Sequence, residues 1–204
     1  MESQLAARRV APNDLLTLAR KKWLAGERLD LGKLAGELSV GRATVFRWAG
    51  TRERLYGEVV WQELSESYEA ARQASIGLKG ARLIASAART LMESLLASEP
   101  MQAFIAHDPA FAMRVLLSSE SSVEKRLVAY VEQSLVTQRD EGHINPAMAL
   151  HDLAYVVVRI AQSFMYRDVI SGEGERPDVA AASLAIEILV SSSPAAKQPT
   201  KGAR

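Results

Sequence analysis

Apolar residues recur along nearly the whole chain at intervals of three and four, the period of an α-helix. No stretch alternates apolar and polar residues as a half-buried strand does. Pro12 suits the first position of a helix whose core face is Leu15, Leu16, Leu18, Ala19, Trp23 and Leu24, and Gly26 can end it. Asp30 is placed to cap a second helix with Leu31, Leu34, Ala35 and Leu38 on its inner face. Ser39-Val40-Gly41 interrupts that pattern, and Gly41 is the residue expected to take the positive φ of a tight turn. A third helix follows from about Arg42 to Trp48, with Val45 inward and Val40 plugging the turn. Thr51 can cap a fourth, which runs to about Ala74 through Leu55, Tyr56, Val59, Val60, Leu64 and Tyr68, before a break at Ser75-Ile76-Gly77.

The remainder keeps the same period. Leu83, Ile84, Ala87, Leu91, Met92 and Leu95 predict a helix ending near Glu99-Pro100, followed by a short one from Met101 to Ala106. Asp108 and Pro109 form a cap and first turn. Ser121-Ser122-Val123-Glu124 resembles a capping box for a helix that carries Leu127, Val128, Val131 and Leu135 and ends before Gly142. Asn145-Pro146 predicts the start of a helix reaching about Ile170 that is apolar almost all round. Such a helix must be covered on most sides, by the core or by a partner chain. Val179 to Val190 is a second of the kind. The expected architecture is all-α. A flexible arm occupies 1–11, a three-helix helix-turn-helix domain 12–61, a helical ligand-binding and dimerisation bundle 62–192, and a disordered tail 193–204.

The outer face of the third helix carries chemistry. Arg42, Thr44, Phe46, Arg47 and Trp48 remain once Val45 has turned inward. Guanidiniums match guanine edges and phosphates in bidentate fashion, and a threonine hydroxyl can donate to phosphate. Two short helices joined by a tight turn, the second with a basic face, make a helix-turn-helix.

Residues 12 to 61 resemble the DNA-binding domain of the TetR/AcrR family of bacterial repressors. The likeness rests on Lys33-Leu34-Ala35, Val40-Gly41-Arg42-Ala43-Thr44-Val45-Phe46-Arg47-Trp48 and Gly50-Thr51-Arg52-Glu53-Arg54-Leu55. The Arg-Ala-Thr-Val-Phe-Arg-Trp run is more similar to the QsdR-like subgroup, which would imply a lactone-type signal. The resemblance implies phosphate contacts by Thr44 and Arg52, base contacts by Arg42 and Ala43, and neighbouring contacts by Phe46, Arg47 and Trp48. It also implies a palindromic double-stranded DNA operator, a homodimer built from the last two long helices, and a fourth helix that joins head to sensor. Several positions depart from the pattern. Ser39 and Gly41 replace the usual Gly and Ser around Val40, Ala49 replaces a larger apolar residue, Phe46 lacks a phenol hydroxyl, and Leu31-Gly32 offers no side-chain donor. The operator of a relative therefore does not transfer.

Composition narrows the classes. The 204 residues are 48% hydrophobic and 24% charged, as in a globular protein. There is no cysteine, which excludes disulfides and thiolate chemistry and suits a cytoplasmic location. Residues 1–60 carry 11 Lys+Arg against 7 Asp+Glu, and residues 61–204 carry 14 against 17, which together give the net charge of +1. A mildly basic head on a mildly acidic body suits a DNA-binding regulator. Arg8 and Arg9 in the arm, and Arg20, Lys21 and Lys22 on the first helix, read as solvated charge. No apolar run is long enough to span a membrane, since Arg159 and Gln162 interrupt Leu153 to Met165, and the N-terminus has no apolar signal core.

Catalytic and metal-binding patterns are missing. His107, His143 and His151 are the three histidines, and their spacing offers no third ligand; no phosphate-cradling or nucleophile-elbow motif occurs. Neither enzyme nor cofactor is expected. Met92, Phe104, His107, Phe111, Met113, Tyr130, Tyr155, Arg159, Phe164 and Met165 are the candidates for lining a pocket for a small hydrophobic effector. Arg159, inside an apolar helix, needs a partner such as Asp152, Asp168 or a carboxylate of a second chain. The reading is a ligand-responsive transcriptional regulator, a repressor. Its competitors are a helical dimeric protein-interaction module without sequence-specific DNA binding and a helical enzyme.

Overall fold

A computed structural model describes residues 10–172 and 176–191. Among the described residues the chain forms eleven α-helices and no strand. They are α1 (Pro12–Leu24), α2 (Leu31–Glu37), α3 (Arg42–Ala49), α4 (Arg52–Ala74), α5 (Gly80–Ala97), α6 (Glu99–His107), α7 (Pro109–Leu117), α8 (Val123–Asp140), α9 (Leu150–Met165), α10 (Arg167–Ser171) and α11 (Val179–Ser191). Residues 1–9, including Arg8 and Arg9, most of the Gly172-to-Glu175 loop and the tail from 192 lie outside the described residues.

The local signals for the helix starts act as their chemistry dictates. Asp30 Oδ1 accepts the Lys33 N–H at 2.8 Å, Thr51 Oγ1 accepts that of Arg54 at 3.1 Å, and Asp108 Oδ1 accepts that of Phe111 at 3.0 Å. Each relieves one of the orphan donors of an opening turn. Asp14 reaches back from the first turn of α1 to accept the Ala11 N–H at 2.7 Å.

Three expectations need correction. Ser39, with φ 54°, and not Gly41, takes the left-handed turn after α2. The Val40 N–H bonds to the Ala35 carbonyl and the Ser39 N–H to that of Gly36, both at 3.0 Å. This is a Schellman closure, whose left-handed residue falls two past the last helical one whatever its type. Gly41 is extended, with φ −65° and ψ 144°, and precedes α3. Second, Glu99-Pro100 opens α6 instead of ending α5, because the Ser98 hydroxyl accepts the Met101 N–H at 3.4 Å and proline is tolerated in a first turn. Third, Asn145-Pro146 starts no helix. Ile144 is drawn into the core, the chain stays non-helical to Ala149 (ψ 138°), and α9 begins at Leu150. The same helix ends at Met165, and Tyr166 separates it from α10.

The described residues divide into two compact units, those up to 67 with 94–125, and 68–93 with those from 126 onward. In the first, α1, α2 and α3 pack on one another around Leu15, Ala19, Leu34, Ala35 and Val45, all 2% exposed or less. Helices α6 and α7 pack together within the same unit. In the second, α9 packs along α11, and the core includes Ile84, Val128, Leu135, Leu153, Val157, Ile186 and Val190. Helix α4 contributes to both units. Helix α9 is less uniform than its composition suggests. Leu153, Ala154, Val157, Val158, Gln162 and Met165 are buried on one stripe, whereas Val156, Ile160 and Phe164 are only half-buried beside it.

Candidate nucleic-acid interface

Helix α3 is short, so its aim depends on how it is anchored. Val45 is fully buried and ties α3 down, as α3 packs on α1 and α2. The opposite face is open. Arg42, Ala43, Phe46 and Arg47 are exposed, and Thr44 and Trp48 half-buried. Phe46 leaves 52% of its surface in solvent. One exposed aromatic needs no explanation by itself. It is flanked by the guanidiniums of Arg42 and Arg47, which form no ion pair among the described residues.

Two basic residues of α1 are already neutralised. Arg20 reaches Glu63 at 2.9 Å and Glu66 at 2.6 Å, and Lys22 reaches Glu27 at 3.0 Å and Glu37 at 2.9 Å. Hydrogen bonds to these carboxylates hold both cations above their ordinary pKa, led by Glu63 for Arg20 and by Glu37 for Lys22. These two are internal struts more than solvated charge.

At the far end of α3, Gly50 has φ 70°, a conformation a side chain rarely takes. The Arg54 side chain folds over it, with Cδ 3.1 Å and Nη1 3.4 Å from where a Gly50 Cβ would stand. The charge therefore sits at the negative end of α3. Arg54 is a cation at this surface that sequence reasoning did not single out; its spacing of four from Gly50 was the available signal.

Arg52 is half-buried, with its guanidinium 4.1 Å over the Phe111 ring and 5.3 Å from that of Tyr56. Stacking uses the face of the guanidinium and leaves its in-plane N–H groups to donate. Phe111 belongs to an aromatic cluster. Tyr56 stacks on Phe104 at 4.9 Å, meets Phe111 edge-on at 5.0 Å, and lies 6.2 Å from Trp23. The Tyr56 hydroxyl accepts the buried Leu29 N–H at 2.8 Å, which holds the loop before α2 against α4. Arg52 is thus placed by residues more than fifty positions away in sequence.

The ten effector candidates do not form one group. Phe104, His107, Phe111 and Met113 lie in the first unit, and Met92, Tyr130, Tyr155, Arg159, Phe164 and Met165 in the second. Phe104, His107 and Phe111 share a cleft with Trp23, Tyr56 and Arg52 that offers about 10 Å³, roughly the space of one water. Met92 and Met165 are buried, Tyr130 and Tyr155 exposed. Arg159 donates to the Tyr155 hydroxyl at 3.0 Å and to Gln162 Oε1 at 3.2 Å, both on its own helix. His151 Nδ1 is 2.9 Å from Glu132, and His143 Nδ1 is 3.2 Å from Glu141. Among the described residues no three potential ligands gather around a metal-sized space, and no helix is long and apolar enough to cross a membrane.

Residues 79–191 match the family model described as Tetracyclin repressor-like, C-terminal domain. The solved structure of the R. erythropolis transcriptional repressor QsdR, from the TetR family, superimposes with a TM-score of 0.81 at 25% identity, covering 90% of this chain and 96% of that one. No curated protein matches the chain.

Proposed function

Because this chain belongs to the TetR family of transcriptional regulators, we propose that it is a homodimeric, ligand-responsive repressor that places α3 in the major groove of a palindromic operator. The observation that carries the reading is the contrast on one surface. Arg42 and Arg47 form no salt bridge among the described residues, while Arg20 and Lys22 are each bridged to two carboxylates. Unpaired guanidiniums on an exposed helix have no bridge to break before they meet phosphates and base edges, whereas paired ones must first break theirs. Arg42 and Ala43 read bases, Thr44 and Arg52 hold phosphate, and Phe46, Arg47 and Trp48 complete the contact.

The two-fold that pairs the half-sites comes from α9 and α11. Leu184 and Ile188 are each 59% exposed and Tyr155 is 43% exposed, a large apolar area on two helices that pack together. A small apolar effector acts on the body, among the second-unit candidates, and favours a head spacing that no longer fits both half-sites. The setting is the cytoplasm, where a repressor meets DNA.

The test is selection of binding sites from a random double-stranded pool at two salt concentrations. The expected result is an enriched palindrome. Arg42→Ala alters its sequence, and Arg52→Ala weakens binding to every sequence and lowers the salt slope by about one. A folded dimer that enriches nothing would refute the reading and leave a helical interaction module.

A further inference from the structure

Arg42 does not simply project into solvent. It is the first residue of α3, and its guanidinium lies against the opening turn of α2. A Cβ on Gly32 would stand 3.5 Å from Arg42 Nε and 3.7 Å from its Cζ, in van der Waals contact, so the guanidinium lies beside Gly32 where a longer side chain there would crowd it. The same Cβ would press on Asp30 Oδ1 at 3.1 Å. That oxygen is the one that caps α2 through the Lys33 N–H. Asp30 is held below the usual carboxylate range, first by that N–H, with the charges of Lys33 and Arg42 adding to the effect.

This location is not one a cation would choose unaided. The start of a helix carries the positive end of its dipole, which repels a guanidinium. Asp30 reverses the local sign, and Gly32 leaves room for a planar group to lie on the backbone. Arg47, on the same exposed face, has no such neighbour among the described residues.

We propose that Asp30 and Gly32 form a seat that aims Arg42 at one base pair of each half-site, making them positioning residues for sequence recognition. The inference rests on the DNA-binding reading above. A free arginine must lose its rotamer freedom to meet guanine O6 and N7 together, a cost of up to roughly 2 kcal/mol, or about 30-fold in binding. A seated one has already lost part of it. The seat therefore acts on discrimination at a single base pair and not on general phosphate attraction.

The experiment compares parent, Arg42→Ala, Asp30→Asn and Gly32→Leu in the same random-pool selection, followed by titration of the winning site and its single-base variants. Asp30→Asn keeps a capping oxygen and removes the charge, and Gly32→Leu fills the seat in a residue that favours helix. Arg42→Ala identifies the base pair that Arg42 reads. The expected result is that both seat variants lose about fivefold or more of the preference at that pair, keep the rest of the palindrome, and keep the salt slope of the parent. Melting temperatures near that of the parent would accompany this. If Arg42→Ala loses the preference and both seat variants retain it in full, the seat is refuted while the DNA-binding reading stands. If the parent enriches no palindrome, the DNA-binding reading fails and takes the seat with it.

Discussion

Gly57 sits in α4 where the chain passes the turn before α8, and replacing it by alanine sets two effects against each other. Alanine at a helix interior is favoured over glycine by about 1 kcal/mol. Here the added Cβ would stand 2.5 Å from the Ser121 carbonyl oxygen and 2.7 Å from Ser121 Cβ. A carbon rests on a carbonyl oxygen at about 3.3 Å, so the two segments must part by about 0.8 Å. The obstacle is backbone and has little freedom to move. The Ser121 hydroxyl donates to the Val115 carbonyl, and Ser122 already holds φ 64°. Overpacking costs about 1–3 kcal/mol, and against a backbone obstacle the upper part of that range applies, about 2–3 kcal/mol; less the propensity gain of about 1 kcal/mol, the net loss is about 1–2 kcal/mol. For a chain of this size that lowers the melting temperature by about 2–8 °C. Gly36→Ala is the control, since Gly36 is exposed on α2 and nothing lies within 4 Å of its added Cβ. Its propensity gain stands alone and raises the melting temperature by about 1–4 °C. Circular-dichroism melts of the parent and both variants decide the matter. A Gly57→Ala protein that melts at or above the parent would refute the claim that this helix has no room for a side chain.

Three further outcomes are expected. Tyr56→Phe leaves the buried Leu29 N–H without its acceptor and lowers unfolding stability by about 1–3 kcal/mol, read as a lower urea midpoint at unchanged slope. A Leu184→Glu, Ile188→Glu double variant places charge on the exposed apolar face of α11, and sedimentation velocity should show monomer where the proposal expects a dimeric parent; a double variant that stays dimeric would exclude this face. The bond to Glu132 raises the pKa of His151 above its ordinary value of 6.5. A raised folded-state pKa gives stability that is complete below the unfolded value and lost as pH rises through the folded one. The parent should therefore lose a small advantage in melting temperature over His151→Gln on going from about pH 5.5 to about pH 8, small because the pair is exposed. Equal differences at both ends would show that the pair contributes nothing.

What the sequence determined by itself is what a single turn can decide. The caps at Asp30, Thr51 and Asp108 and the helical period from Leu15 to Val190 each depend on residues within a few positions, and those residues act the same way in any fold. The exposed face of α3 was legible for the same reason, since one inward Val45 fixes where Arg42, Phe46 and Arg47 must point. Tertiary structure decided the rest. Pro146 is as good a helix start as Pro109, yet burial of Ile144 keeps that segment unwound. The left-handed turn fell on Ser39 because the last turn of α2 closes there, and a short polar residue accepts the strain when the register requires it. Phe111 under Arg52, Ser121 against Gly57 and Gly32 beneath Arg42 are contacts between residues that helical spacing does not bring together. Periodicity names the face of a helix, but only the packing of one helix on another selects which side chain that face will meet.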